Sequence, residues 1–467
     1  MSLDFNERKY EILTAEREGK HLTYRAFEHI PYCEHPLEQS VQCLSIFVPE
    51  DFYNGRGING YSLKTAPIFL PNTVGGYMPG PEERPGVNFM GETNASFFAL
   101  LHGYVVVSAG IRGRGMKDTR GKNIGTAPAH IVDLKAAVRY LRHNAEKIPG
   151  NTEKIISNGT SAGGALSALL GSSGNHPDYE MYLRETGAAE ERDDIFAASC
   201  YCPITNLDHA DTAYEWEFSG INDFHSMKFE PAEPDAEKPK ITKIDGTMTQ
   251  IQQELSVLLK SQFPAYVESL HLKDESGNTL LLDSGGNGSF KEYVKSIVIK
   301  SVQREAEKGT DLSDFDRIVI RNGKVVWIDF DAYIKFRTRM KVTPAFDGVS
   351  LDTAENELFG TADIKARHFT VFSREHSTAD ASLAPLDVVK LMNPMYYIDD
   401  PKAVKAGHFR IRHGAIDRDT SLAISTMLLL KLKNEGIDAE LEFPWGRPHS
   451  GDYDLPELFT WIDEICK

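Results

Sequence analysis

The chain is short of cysteine, of long apolar runs and of positive charge, and each shortage excludes a class of protein. Its five cysteines among 467 residues, Cys33, Cys43, Cys200, Cys202 and Cys466, are too few and odd in number for a secreted disulfide scaffold. Cys200 and Cys202 are one residue apart in a stretch that reads as a strand, so their side chains are expected on opposite faces and a metal pair there is not expected. All five read as free thiols of a reducing cytoplasm. No run of about 18 apolar residues occurs, which argues against a membrane span. The opening MSLDFNERKYEILTAEREGK lacks the basic segment and apolar run of a signal peptide. With 51 Lys plus Arg against 68 Asp plus Glu, the formal net charge of -17 disfavours nucleic acid and anionic membranes as partners. A neutral or weakly acidic small molecule fits better, and a monomer or weak homo-oligomer is expected. Nucleotide and metal signals are lacking too. AGIRGRG (109–115) follows a strand without the G-x-G-x-x-G spacing. Asp208, His209, Asp211, Asp223 and His225 match no metal spacing and read as part of a lid. No cofactor is expected.

What is present is strand–helix alternation at both ends of the chain. VQCLSIFV (41–48), APIFL (66–70), YVVVSAG (104–110), KIISNG (154–159) and DIFAASCYC (194–202) read as buried strands. IVDLKAAVRYLRHNAEKI (131–148) and SAGGALSALLG (161–171) read as helices between them. The rhythm returns with strand HFRIRHG (408–414), helix TSLAISTMLLLKLKNEG (420–436), strand AELEFP (439–444) and helix LPELFTWIDEI (455–465). Residues between are more polar and mixed. They include an amphipathic helix over 249–263 with Thr249 and Gln252 as a capping box. Hairpins are predicted over 271–282 and 317–328, turning at Gly277–Asn278 and Asn322–Gly323, and 230–240 reads as a solvated Pro-rich loop. The expected fold class is α/β. A parallel sheet with helices on both faces, built from 1–202 and 394–467, carries a large inserted lid domain over 203–393.

The chemistry concentrates at Gly159–Thr160–Ser161–Ala162–Gly163, which fits the nucleophile elbow G-x-S-x-G between a strand and a helix. There a sharp turn aims the serine hydroxyl out of the sheet, and the flanking glycines let strand and helix approach. That is the α/β-hydrolase arrangement, in which the acid and then the histidine follow later strands. Asp417, after HFRIRHG, and His449, after AELEFP, occupy those places. Asp419 is the competing acid, but together with Thr420 and Ser421 it could cap the next helix. His413 comes too early in the chain to follow the acid. The oxyanion hole is expected from the N–H of Ala162 and from Gly75 or Gly76 in PNTVGGYMPG, after an early strand.

Taken together, PNTVGGYMPG, GYVVVSAGIRGRG, NGTSAGGA, YCPITNLDHADTAYEW, TRMKVTPAFD, ENELFG, RIRHGAIDRDTS and PHSGDYDL resemble the bacterial tannases over nearly the whole chain. The resemblance implies a metal-independent serine esterase of the α/β-hydrolase class that cleaves galloyl esters and depsides, with the inserted domain capping the site. It implies the triad Ser161, Asp417 and His449, and places Lys341, Glu355 and Asp419 on the galloyl hydroxyls and Ile204 against the ring. The chain departs from the family pattern at Ala354, where a proline often precedes the site glutamate, so a looser loop is expected there. Two other readings remain at this stage. One is a feruloyl or other carboxylesterase of the same fold, and the other is an inactive binding module on an esterase scaffold.

Overall fold

A computed structural model describes residues 2–88, 90–230, 240–312 and 317–467. The predicted loop over 230–240 lies almost wholly outside them. In chain order the strands are β1 (Glu11–Arg17), β2 (Lys20–Pro31), β3 (Cys43–Pro49), β4 (Pro67–Asn72), β5 (Val105–Ala109), β6 (Asn151–Thr160), β7 (Ala197–Tyr201), β8 (Asp223–Glu230), β9 (Lys240–Thr247), β10 (Ile318–Arg321), β11 (Lys324–Ile328), β12 (His408–Arg412) and β13 (Asp438–Glu442). Nine form one sheet, ordered β1-β2-β3-β5-β4-β6-β7-β12-β13. Strands β5 to β13 of that order pair parallel, while β1, β2, β3 and β5 pair antiparallel. The antiparallel N-terminal hairpin was not foreseen: β1 is mostly exposed and lacks the apolar run that marks a buried strand.

Strands β3, β4, β5 and β7 are buried at every position, as a sheet covered on both faces requires. Helices Ala129–His143, Ala162–Ser172, Leu422–Asn434 and Leu455–Cys466 supply the cover, and all four lie where the apolar periodicity puts them. For function the decisive feature is that β6, β7, β12 and β13 are neighbours and parallel. Their carboxyl ends therefore open on one edge of the sheet, where open α/β sheets bind ligands.

Between β7 and β12 run helices Leu207–Phe218, Gln250–Ser269, Ser289–Glu307 and Phe330–Arg337, with the two-stranded ribbons β8–β9 and β10–β11. The capping box on Thr249 and Gln252 is present, but the helix runs on through Pro264 to Ser269, beyond the expected end at 263. The hairpin predicted over 317–328 forms and turns at Asn322 and Gly323, both with positive φ. The one predicted over 271–282 does not. A single bridge joins Lys273 and Thr279, because the Asp274 carboxylate accepts the N–H groups of Ser276 and Asn278 and closes a tight local turn. The helix Ser289–Glu307, with Phe290, Val294, Ile297, Val298 and Val302 buried along one face, was not assigned from the sequence.

Candidate active site

Strand β6 enters the helix Ala162–Ser172 through Ser161, whose φ of 60° and ψ of -122° are strained for an L-residue. The backbone around it leaves no room for side chains. A Cβ on Gly159 would sit 2.5 Å from the Gly163 carbonyl oxygen, and one on Gly163 would sit 2.7 Å from that of Asn72. The Ser161 N–H donates to Tyr201 O at 2.9 Å, tying the turn to β7. The elbow read from the motif is thus present, with both motif glycines under steric demand.

The loop after β12 carries Asp417 and the loop after β13 carries His449. Asp417 is fully buried, and its carboxylate accepts from His449 Nδ1 at 2.7 Å and from the Asp419 N–H at 2.7 Å. The loop of His449 packs onto the elbow. A Cβ on Gly451 would meet Thr160 Oγ1 at 1.8 Å, and Asn158 Nδ2 donates to Asp452 at 2.9 Å. Among the described residues the other ring nitrogen, His449 Nε2, is buried without a hydrogen-bond partner. Burial disfavours charge on both members of the pair. Their mutual attraction outweighs it, so Asp417 is held well below the usual carboxylate range and His449, beside both Asp417 and Asp419, well above the usual imidazole range. His413 also reaches Asp417, 3.4 Å from Nε2, but its Nδ1 bonds Ser425 and burial keeps it neutral, with a pKa near about 4.

Lys341 Nζ donates to Asp419 at 2.8 Å and lies 4.0 Å above the Phe346 ring centre. Burial lowers the Lys341 pKa less than the charges of Asp419 and Glu355 raise it, so it stays cationic. Glu355 is 8% exposed, and burial raises its pKa against the pull of Lys341. The helix Ala354–Leu358 that bears it is anchored, contrary to the looser loop expected at Ala354. Thr353 and Asn356 form a capping box, and Asn356 Nδ2 donates to Asp347 at 2.7 Å. Arg114 links this helix to the glycine pair after β4, donating to Glu357 at 2.6 Å and to Gly76 O at 2.6 Å. Gly76 has φ 53°. Ala162 opens the helix that follows Ser161, where first-turn N–H groups have no helical carbonyl partner. Ile204, 5% exposed, follows β7 and belongs to the apolar core.

Asp419 does not cap the following helix; Ser421 does, accepting from the Ala423 N–H at 3.2 Å. The carboxylates and histidines of 208–225 scatter. His209 stacks on Tyr266 at 3.6 Å, Asp211 accepts the N–H groups of Phe346 and Asp347, and His225 pairs with Asp245. The residue that sequence reasoning missed is Cys202. Among the described residues, Cys202, Asp417 and His449 have potential donor atoms within 4.8 Å of one another. A second such group is His29, Cys43 and Glu82, where burial, reinforced by Glu82, pushes the Cys43 thiol up to about 12.

The BD-FAE family model matches residues 75–268. One curated relative, esterase LipC of Mycobacterium tuberculosis, is 45% identical over 58 residues, 12% of this chain and 14% of its own length. The chain thus spans about a seventh of that relative. Solved structures match throughout. The tannase of Lactobacillus plantarum in its orthorhombic crystal superposes with a TM-score of 0.96 at 45% identity, covering 100% of both chains. The tannase of Fusobacterium nucleatum gives 0.95 at 47%, again over 100% of both. A tannin acyl hydrolase in complex with ethyl gallate gives 0.93 at 44%, over 100% of this chain and 99% of that one. Since the likeness runs the full length of both chains at such identity, this protein belongs to the tannase family of the α/β-hydrolases and is a carboxylic ester hydrolase.

Proposed function

We propose that this chain hydrolyses galloyl esters and depsides, releasing gallic acid through a Ser161–His449–Asp417 triad. His449 takes the Ser161 proton through Nε2 as the hydroxyl attacks the ester carbonyl. Asp417 holds the imidazole through Nδ1 and stabilises its charged form. The N–H of Ala162 and that of Gly75 or Gly76 receive the oxyanion. The alcohol leaves with the proton from His449, and a water activated by the same base then frees the acid. The ring hydroxyls meet Lys341, Glu355 and Asp419, and Ile204 lies against the ring. In this reading residues 203–393 are the inserted lid domain on a core of 1–202 and 394–467.

What supports the substrate is one observation above others. The Lys341–Asp419 pair stands two residues from the triad acid, with Glu355 in the same electrostatic field. Three adjacent hydroxyls need convergent donors and acceptors, and this trio offers both. The ethyl gallate bound to a 44% identical relative is in keeping. We also propose that the enzyme acts in the cytoplasm as a monomer or weak homo-oligomer. The five cysteines are free and buried, and no helix among the described residues is long and apolar enough to cross a membrane.

The test is release of gallic acid from methyl gallate in excess EDTA. Wild type should turn over and Ser161→Ala should not. Methyl benzoate, which leaves the trio unpaired, should be slower by about 10⁴. Equal rates on gallate and benzoate would discard the substrate assignment and keep only the esterase.

A further inference from the structure

The loop joining β12 to the helix Leu422–Asn434 holds Asp417, and the two sides of its backbone are held by different parts of the chain. Its N–H groups face the core: Ala415 donates to Pro444 O and Ile416 to Arg447 O, each at 3.0 Å. Its carbonyls face the inserted segment. Ala415 O accepts from the Tyr333 hydroxyl, Asp417 O from Arg337 Nη2, and Arg418 O from the Tyr214 hydroxyl at 2.9 Å. The Tyr214 oxygen also accepts the Lys341 N–H at 3.0 Å, so one hydroxyl joins the acid loop to Lys341.

Arg337 is the centre of this contact. Its other terminal nitrogen donates to Glu217, and neither side chain of the pair is exposed. The second Glu217 oxygen accepts from Ser421 Oγ at 2.6 Å and from the Leu422 N–H at 2.8 Å, on the far side of the acid loop. A buried ion pair is weak support for stability, since well-packed apolar residues commonly do as well. What distinguishes this one is where its spare bonds land, on residues 417, 421 and 422. Together the two side chains grip the loop at the acid and at the start of its following helix.

We infer that Arg337, held by Glu217, is a positioning residue for Asp417, and that the inserted segment completes the setting of the catalytic acid instead of swinging free above it. The inference rests on the reading of Asp417 as the triad acid. The Asp417 carbonyl, held by Arg337 Nη2, helps set the orientation of Asp417 toward His449, together with the Asp419 N–H on its carboxylate. Displacing that carbonyl weakens the Asp417–His449 bond, and a misplacement of about 1 Å costs on the order of 10²-fold in rate. It also lowers the imidazole pKa, because Asp417 is the charge that raises it most. Among the described residues, the other charged or titratable groups facing the pair include Asp419, His413, Cys202 and Tyr333.

The experiment compares the full-length Arg337→Lys, Tyr333→Phe and Asp417→Asn variants with wild type. It measures kcat and KM for methyl gallate, the pH profile of kcat/KM, and near-UV circular dichroism. For Arg337→Lys, kcat should fall about 10- to 100-fold while KM stays within about twofold, and the acid limb should move to lower pH. Tyr333→Phe removes one oxygen and leaves the buried pair intact. It should lower kcat about 2- to 10-fold with the same sign of pH change, and it decides the matter if Arg337→Lys does not fold. A folded Arg337→Lys enzyme, or failing that a folded Tyr333→Phe enzyme, with wild-type kcat and an unmoved acid limb overturns the inference while Asp417→Asn is inactive. Activity retained in Asp417→Asn overturns the triad reading itself, and the inference with it.

Discussion

Around Ser161 it is the backbone that does the holding. The glycines at 159 and 163 meet carbonyl oxygens at distances no Cβ could accept, and the Ser161 N–H is bonded to the next strand. Around Asp417 the backbone N–H groups bond other backbone, but side chains take the carbonyls. Tyr214, Tyr333 and Arg337 stand 80 to 204 residues earlier in the chain and take up the loop's carbonyls. Ser161 therefore sits on a device of close backbone packing, whereas Asp417 sits on a loop whose carbonyls are held by side chains. A steric device fails when atoms are added to it. A device of side-chain hydrogen bonds fails when atoms are taken away.

Several substitutions sharpen or break that contrast. The largest effect is expected for Ser161→Ala, a loss of about 10⁶ in kcat on gallate esters with folding intact. Next is Asp417→Asn, about 10⁴ in kcat, because the imidazole is then held in the wrong tautomer. If Asp417→Asn retained most of the activity, the acid loop would have no such role and the comparison would collapse. Gly163→Ala adds a Cβ 2.7 Å from Asn72 O, and overpacking of this kind costs about 1–3 kcal/mol. Its thermal midpoint should fall, and activity with it, since the same glycine sets the elbow. An unchanged midpoint would mean that strand and helix can part without cost.

The smallest expected effect is on pH dependence. Burial disfavours the charged imidazole of His449, but Asp417 and Asp419 together hold its pKa well above the usual range. The base works only when neutral. So kcat/KM should fall as the pH is lowered through a value above about 6.5, the ordinary histidine pKa. Asp419→Asn removes one of the two raising charges and should move that limb to lower pH, besides weakening substrate binding. A limb that does not move in Asp419→Asn would show that Asp419 does not act on His449.

Much of the sheet could be read from the sequence because a strand covered on both faces leaves a continuous apolar run, as in β4 and β5. The antiparallel hairpin β1–β2 left no such run and went unread. In the inserted segment, hairpin β10–β11 was legible from Asn322–Gly323, a pair suited to positive φ, whereas Gly277–Asn278 proved to be a local turn governed by the Asp274 side chain. The candidate triad positions came from motif and chain order, and the Asp417–His449 hydrogen bond is in keeping with them. Lys341 and Glu355 carried no signal of their own beyond the family resemblance, since a lysine and a glutamate in separate loops look like surface charge until the fold brings them near Asp419.

By itself, then, the sequence determined the elbow at Ser161. Its steric demands fall on five consecutive residues, so residue type and spacing express them directly. It also determined the parallel core, through apolar patterning that repeats along each strand. Only the tertiary structure decided the setting of Asp417 and the charge on His449. Those depend on which buried side chains face which carbonyls and carboxylates across the fold, and no local pattern along the chain records such an approach. Arg337 and Glu217 belong to this second kind, as side chains whose roles follow from whom they meet.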